Sequence, residues 1–362
     1  PYVLLLIVIV AIGFTFGSVL HERLRSSRVV TAVAVGLPLA ILAYFKYRNY
    51  MVELAADALA FLGHGIDPTL DRLYLPLGIS FITFQLIGYM MDVRRGIIPP
   101  EPNFLNLLLF KAYFPQLIAG PICRGAELLP QFKRLHRWDT RRFFNGLAIL
   151  GVGFFLKVAF ADNLAPYVDQ IYARPADAAP VEALSATVGF GIQILADFWG
   201  YSTMAVGMSQ MFGIWIPVNF NLPYLATSIR DFWRRWHITL SNWLRDYLYV
   251  PLGGSRFGRL ATGRNLFGTM LLGGLWHGAA TTFVIWGAIH GAFLTAEHFL
   301  ARRLPSGKTW NAVSAPLGWI YTMAVVFTAW VFFRAATATD AVAIVERMAS
   351  LHPSELAAAP YR

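Results

Sequence analysis

Two histidines, a run of arginines and an isolated aspartate are the residues here whose type and placement could do chemistry. His277 stands in Gly273-Gly274-Leu275-Trp276-His277-Gly278, within an apolar stretch. Imidazole ionises near neutral pH, so it can take a proton from a hydroxyl or attack an acyl group itself. An ionisable side chain in such a run is costly to bury, which marks a candidate site; a histidine bonded to a neighbouring helix fits the same pattern. The segment Ser228 to Tyr247 holds Arg230, Arg234, Arg235 and Arg245 with Trp233, Trp236 and Trp243. Read as one interfacial helix, it turns bases toward phosphates and rings toward headgroups, and Arg234, Arg235 and Trp236 become candidates for docking an anionic donor. His237 and Ser241, four apart, have the spacing of a base and nucleophile but no orienting acid nearby. Asp197 and Tyr201 share a helical face in an apolar run, where the carboxylate either lines a cavity or forms an ion pair. The one cysteine, Cys123, excludes an intrachain disulfide and a cysteine zinc site. His21, His64, His136, His290, His298 and His352 show no metal-ligand spacing, so no metal is expected.

These residues must be positioned by an unusual set of elements. Of 362 residues, 57% are hydrophobic and only 14% charged, against about a quarter charged in soluble domains. That is too little charge to solvate a globular surface, and the opposite of a disordered composition. The fold class is therefore an all-α polytopic integral membrane protein. Its net charge of +10 resides in short loops between apolar runs, a pattern that points to membrane lipid rather than nucleic acid.

Spanning candidates are 2–20, 29–45, 73–91, 104–119, 143–160, 183–196, 201–216, 266–277 joined to 281–300, and 316–333, with 50–63 read as interfacial. Basic loops at 21–28, 124–142, 229–264 and 301–308 are placed in the cytoplasm, and the acidic loop 162–182 opposite. Two spans between 183 and 229 break that alternation unless one is re-entrant. Arg264 and Arg302 flank an out-and-back pair whose turn falls at 278–282, which sets His277 about 20 Å from Arg264 along the helix. The chain opens on Pro1 and runs at once into apolar residues. It is expected to be one domain over 1–362 and a piece of a longer product with further helices at both ends.

Several segments resemble the membrane-bound O-acyltransferase (MBOAT) superfamily, within it the bacterial alginate O-acetyltransferase branch. They are Phe114 to Pro121, Asp197 to Ser202, Asn219 to Leu225, Phe232 to His237, Trp243 to Gly254 and Gly274 to Ala279. The resemblance covers nearly all of 1–350. It implies a ring of tilted helices around a tunnel across the membrane, with the signature histidine at His277 and a second polar position at His237. It also implies an acetyl group from a cytoplasmic thioester, acetyl-CoA or another, and no bound cofactor. The acceptor would be an exopolysaccharide or a periplasmic acetyltransferase, and the location the bacterial inner membrane. Trp199 departs from the family pattern, which has a small residue there. Trp276 would wall off water, and Gly273, Gly274 and Gly278 would leave room for substrate. A D-alanyl transferase of the teichoic-acid type is the related alternative, and a transporter without covalent chemistry the unrelated one.

Overall fold

The computed structural model describes residues 2–22, 26–64, 73–117, 120–300 and 308–352. Arg23, Arg25, Arg302 and Arg303 of the basic loops, and Ile118-Ala119 of the Phe114–Pro121 motif, lie outside the described residues. In chain order the helices are α1 (Tyr2–Glu22), α2 (Arg28–Phe61), α3 (Ile79–Arg95), α4 (Phe104–Ala112), α5 (Phe114–Leu117), α6 (Gly125–Phe132) and α7 (Thr140–Phe155). A π turn (Leu156–Ala161) joins α7 to α8 (Asp162–Tyr172), followed by α9 (Pro180–Met211), α10 (Ile229–Arg235) and α11 (Ile238–Leu244). After a second π turn come α12 (Gly258–His277), α13 (Thr281–Leu300), α14 (Lys308–Arg334) and α15 (Ala338–Ala349). No strand occurs among the described residues. Tyr2–His21, Arg28–Phe61, Thr140–Tyr172, Pro180–Met211, Thr281–Leu300 and Ser314–Arg334 are long and apolar enough to cross a membrane.

Four expectations need correction. The runs 183–196 and 201–216 are a single helix, α9, of 32 residues. Asp197 does not break it, because its carboxylate is neutralised laterally by Lys157 at 2.7 Å. One crossing replaces two, so the alternation of basic and acidic loops is restored. The run 50–61 continues α2, with no helix breaker between Lys46 and Phe61 to interrupt it. The candidate 104–119 holds only a nine-residue helix before Tyr113 and Pro115, about 14 Å long and too short to span. The segment 229–247 is two short helices rather than one, broken at Trp236-His237. Its tryptophans do not face headgroups: Trp233, Trp236 and Trp243 are all buried in protein.

The chain forms two compact units. One comprises residues 1–147 and 205–217; the other comprises 148–204 and 218–362 and contains every candidate site residue. In this second unit α12 and α13 form an antiparallel hairpin, with its turn between His277 and Thr281 as expected. A Cβ on Gly274 would run into the Phe283 carbonyl, and one on Gly287 into that of Met270. Gly274 thus serves the close approach of two backbones, and Gly278 is filled by the Phe283 ring. Neither leaves space for a substrate, which corrects the reading of Gly274 and Gly278; at Gly273 a Cβ would meet only Leu244 Cδ1, at 3.4 Å. The hairpin packs on an aromatic core that includes Phe232, Trp233, Trp236, Trp286 and Trp330.

Candidate active site

The break between α10 and α11 is made by a second strip of chain. Asn221 donates its backbone N–H to Arg235 O, and Ile238 donates to Asn219 O, both at 2.9 Å. Held between these bonds, His237 takes a left-handed conformation with φ 42°, a strained backbone for a residue with a Cβ and one that persists only where the surroundings enforce it. The Asn219 side chain sets the histidine's proton. Its Oδ1 accepts the Thr239 backbone N–H at 3.3 Å, so this atom is the oxygen and not the nitrogen. His237 Nδ1, 3.3 Å from the same oxygen, must then be the protonated nitrogen, which leaves the lone pair on Nε2. Asn219 Nδ2 in turn donates to Ser202 Oγ at 3.1 Å. His237 is buried, and its pKa lies well below the ordinary imidazole value, first through desolvation and second through the charge of His277. It is neutral at physiological pH.

His277 closes α12 and is only partly buried. Its ring meets the rings of Trp286 at 4.9 Å, Trp276 at 5.0 Å and Phe333 at 5.3 Å between centroids. Trp276 stands between the two histidines, 6.4 Å from the His237 ring. The structure therefore brings His277, His237 and Trp276 together. Trp236 belongs to the adjoining core, against Phe220 and Trp330. Ser241 Oγ donates to Trp236 O, so it is not a nucleophile paired with His237. Asp197 lies elsewhere: half-exposed, it shares Lys157 with Asp162, each contact 2.7 Å. Among the described residues no hydrogen bond or ion pair joins Asp197 or Tyr201 to either histidine.

The arginines divide. Arg230, Arg234 and Arg245 line a cavity of about 490 Å³ whose wall is otherwise formed by Trp233, Met270 and Leu294, among others. The side chains of Arg230 and Arg234 have no carboxylate partner among the described residues, although the Arg230 backbone N–H donates to Glu297 Oε2 at 3.0 Å, whereas Arg245 is bound bidentately by Asp246 at 2.7 and 3.1 Å. Arg235 pairs with Asp231 at 3.0 Å and reaches Asn221 O, so it braces the break and is not part of the cavity. An anionic head at Arg230 and Arg234, with an apolar arm beyond, is what such a cavity can hold. Met270 lines it, and His277 is seven residues further along the same helix, about 10 Å. Sequence reasoning left Asn219, Arg230 and Arg245 out of the site. Asn219 was visible only as part of a family motif, and both arginines as members of the basic run.

Comparison with known proteins decides the family. The model described as MBOAT, membrane-bound O-acyltransferase family, matches residues 98–336. The chain belongs to that family. Within it, the chain is 44% identical over 327 residues to the probable alginate O-acetylase AlgI of Azotobacter vinelandii, covering 90% of this chain and 63% of that protein. It is 38% identical over 339 residues to the peptidoglycan O-acetyltransferase of Helicobacter pylori (86% and 63% covered). With the teichoic acid D-alanyltransferase of Bacillus subtilis the identity is 29% over 261 residues (66% and 64% covered). The chain thus spans about 63% of the length of these O-acetyltransferase relatives.

Proposed function

We propose that this protein is an O-acyltransferase of the bacterial inner membrane. It takes an acetyl group from a thioester on the cytoplasmic side and passes it across for O-acetylation of a polysaccharide, directly or through a periplasmic acetyltransferase. The observation that carries this reading is the convergence of His277, His237 and Trp276 at the end of α12, with the arginine-lined cavity on the same helix. Relatives named for alginate and for peptidoglycan are 44% and 38% identical, so acetyl transfer is their common element and the polymer is what differs. The lower identity to the D-alanyltransferase, 29%, favours the acetyl branch.

In this reading His277 is the general base. A hydroxyl is a weak nucleophile at neutral pH. His277 takes its proton as the oxygen attacks the thioester carbonyl; the C–O bond forms, the C–S bond breaks, and the proton passes to the departing thiolate. His237 is too buried to meet an acceptor. It is a positioning residue that holds a neutral ring against Trp276. The test is His277→Ala: present in the membrane at the normal level, it should lose at least about a hundredfold of polymer acetylation. Substantial acetylation by that variant would sink the assignment.

A further inference from the structure

A second, smaller cavity lies where α7 begins and α9 ends. Its volume is about 150 Å³, and Arg142, Val206, Gln210, Gly213, Ile214 and Trp215 are among the residues that line it. All of them belong to the first compact unit, residues 1–147 and 205–217. The runs Thr140–Tyr172 and Pro180–Met211 are both long and apolar enough to cross a membrane. A cavity at the start of one and the end of the other sits at the depth of lipid headgroups.

Arg142 is held in place without being neutralised. It stands in the first turn of α7, where its backbone N–H donates to Asp139 Oδ1 at 2.8 Å, so that carboxylate is used as the helix cap. The side chain turns back, and Nη2 donates to Arg137 O at 2.6 Å. Gly213, at φ 80°, makes room for it: a Cβ there would lie 3.0 Å from Arg142 Cζ and Nη2 and 3.1 Å from His136 Nδ1. Trp215 is fixed by paired bonds to the Gln131 amide, whose Nε2 donates to Trp215 O at 2.9 Å and whose Oε1 accepts the Trp215 N–H at 2.8 Å. Arg142 Nε is buried and has no hydrogen-bond partner among the described residues. Native proteins rarely leave a buried N–H unpaired. A guanidinium lining a small cavity with a donor to spare calls for an anion.

We propose that Arg142 binds the phosphodiester of an anionic phospholipid. The guanidinium fork matches two phosphate oxygens. The cavity's volume admits one such group and is well below the ~300 Å³ at which pockets for drug-sized ligands begin. The neighbouring side chains select a lipid over a free anion. Leu135, Trp138 and Phe144 flank Arg142 in the chain, Phe212 and Trp215 flank Gly213, and all five are exposed, as suits side chains that meet headgroups and the first part of acyl chains. Arg134, Arg137 and Arg141 are exposed on the same stretch. They repel the choline cation of a zwitterionic lipid and favour a headgroup of net negative charge. The inference goes beyond acyl transfer and does not rest on that reading.

The experiment is native mass spectrometry of the full-length protein, delipidated in detergent and titrated with phosphatidylglycerol, phosphatidylcholine or inorganic phosphate. Phosphatidylglycerol should bind about tenfold more tightly than phosphatidylcholine, and Arg142→Gln should weaken it about tenfold, the loss expected when a hydrogen bond to a charged group is removed. Arg141→Gln removes an exposed charge one position away without touching the cavity, and should stay within about threefold. Thermal midpoints without lipid establish that each variant is folded. Arg142→Lys keeps the charge and loses the fork, so its affinity should fall between the two; it carries the comparison alone if Arg142→Gln does not fold. Equal losses at positions 141 and 142 would reduce the site to diffuse surface charge, and equal affinity for the two lipids would remove the headgroup selection; either overturns the proposal. Displacement of the bound lipid by an equal concentration of inorganic phosphate would make this a free-anion site and overturn the lipid assignment.

Discussion

At the scale of single residues, neighbours in sequence have different duties. Arg234 lines the cavity with no carboxylate partner among the described residues, while Arg235, one position on, is spent on Asp231. Arg234→Gln should therefore raise the KM for an anionic donor about tenfold or more with little change in thermal midpoint. Arg235→Gln should do the reverse, lowering the midpoint of the detergent-solubilised protein and leaving KM near its original value. Kinetics and a thermal melt on the two variants check this, and equal KM effects would refute the division. Half of this distinction was legible beforehand, since Asp231 stands four residues before Arg235, the spacing of a helical ion pair. Asn219 was not legible in that way. Its bonds to His237 and Thr239 exist only because residues 219–221 run beside 235–238, a tertiary pairing that no local period announces. His277 and His237 stood out as candidates because an ionisable ring in an apolar or arginine-rich setting is conspicuous by type alone. Trp286 escaped notice because a tryptophan in an apolar helix reads as core.

At the scale of elements, the long apolar helices followed from hydropathy, and the errors came where a polar residue or a proline was weighed wrongly. Asp197 lowered the hydropathy of α9 enough to suggest a break, yet a helix satisfies its own backbone and asks only that the charge be met, which Lys157 does from the π turn after α7. The hairpin of α12 and α13 was readable from its flanking basic loops, but not the way its glycines are used. Gly287→Ala would push its methyl into the Met270 carbonyl and Gly274, separating the helices that set His277 against Trp286. A cost of about 1–3 kcal/mol is expected, as for other overpacked sites. Gly268, on the same hairpin, has open space where a Cβ would go, so Gly268→Ala should be neutral or stabilising by up to about 1 kcal/mol. Thermal unfolding of the two variants reads the contrast; similar midpoints would mean that the close approach does not hold the hairpin together.

At the scale of the whole molecule, the question is which way the chain is threaded. The loop 162–182 holds four acids and one arginine, and 229–264 seven arginines and two aspartates. With α9 a single helix from Pro180 to Met211, one crossing separates them, and positive charge near span ends favours the cytoplasm. In the proposed reading this orientation gives the cavity its meaning, because Arg230 and Arg234 would then face the compartment from which the thioester is proposed to come. Single-cysteine labelling tests it directly. The one cysteine in this sequence, Cys123, is 1% exposed, so its background with a membrane-impermeant thiol reagent should be low. Arg256→Cys should react only when the cytoplasmic face is open to the reagent, and Asp177→Cys in intact spheroplasts. Labelling of both from the same side would mean that α9 does not cross. Labelling of position 256 from the periplasm alone would invert the molecule, and a donor cavity opening away from the cytoplasm could not be fed by a cytoplasmic thioester.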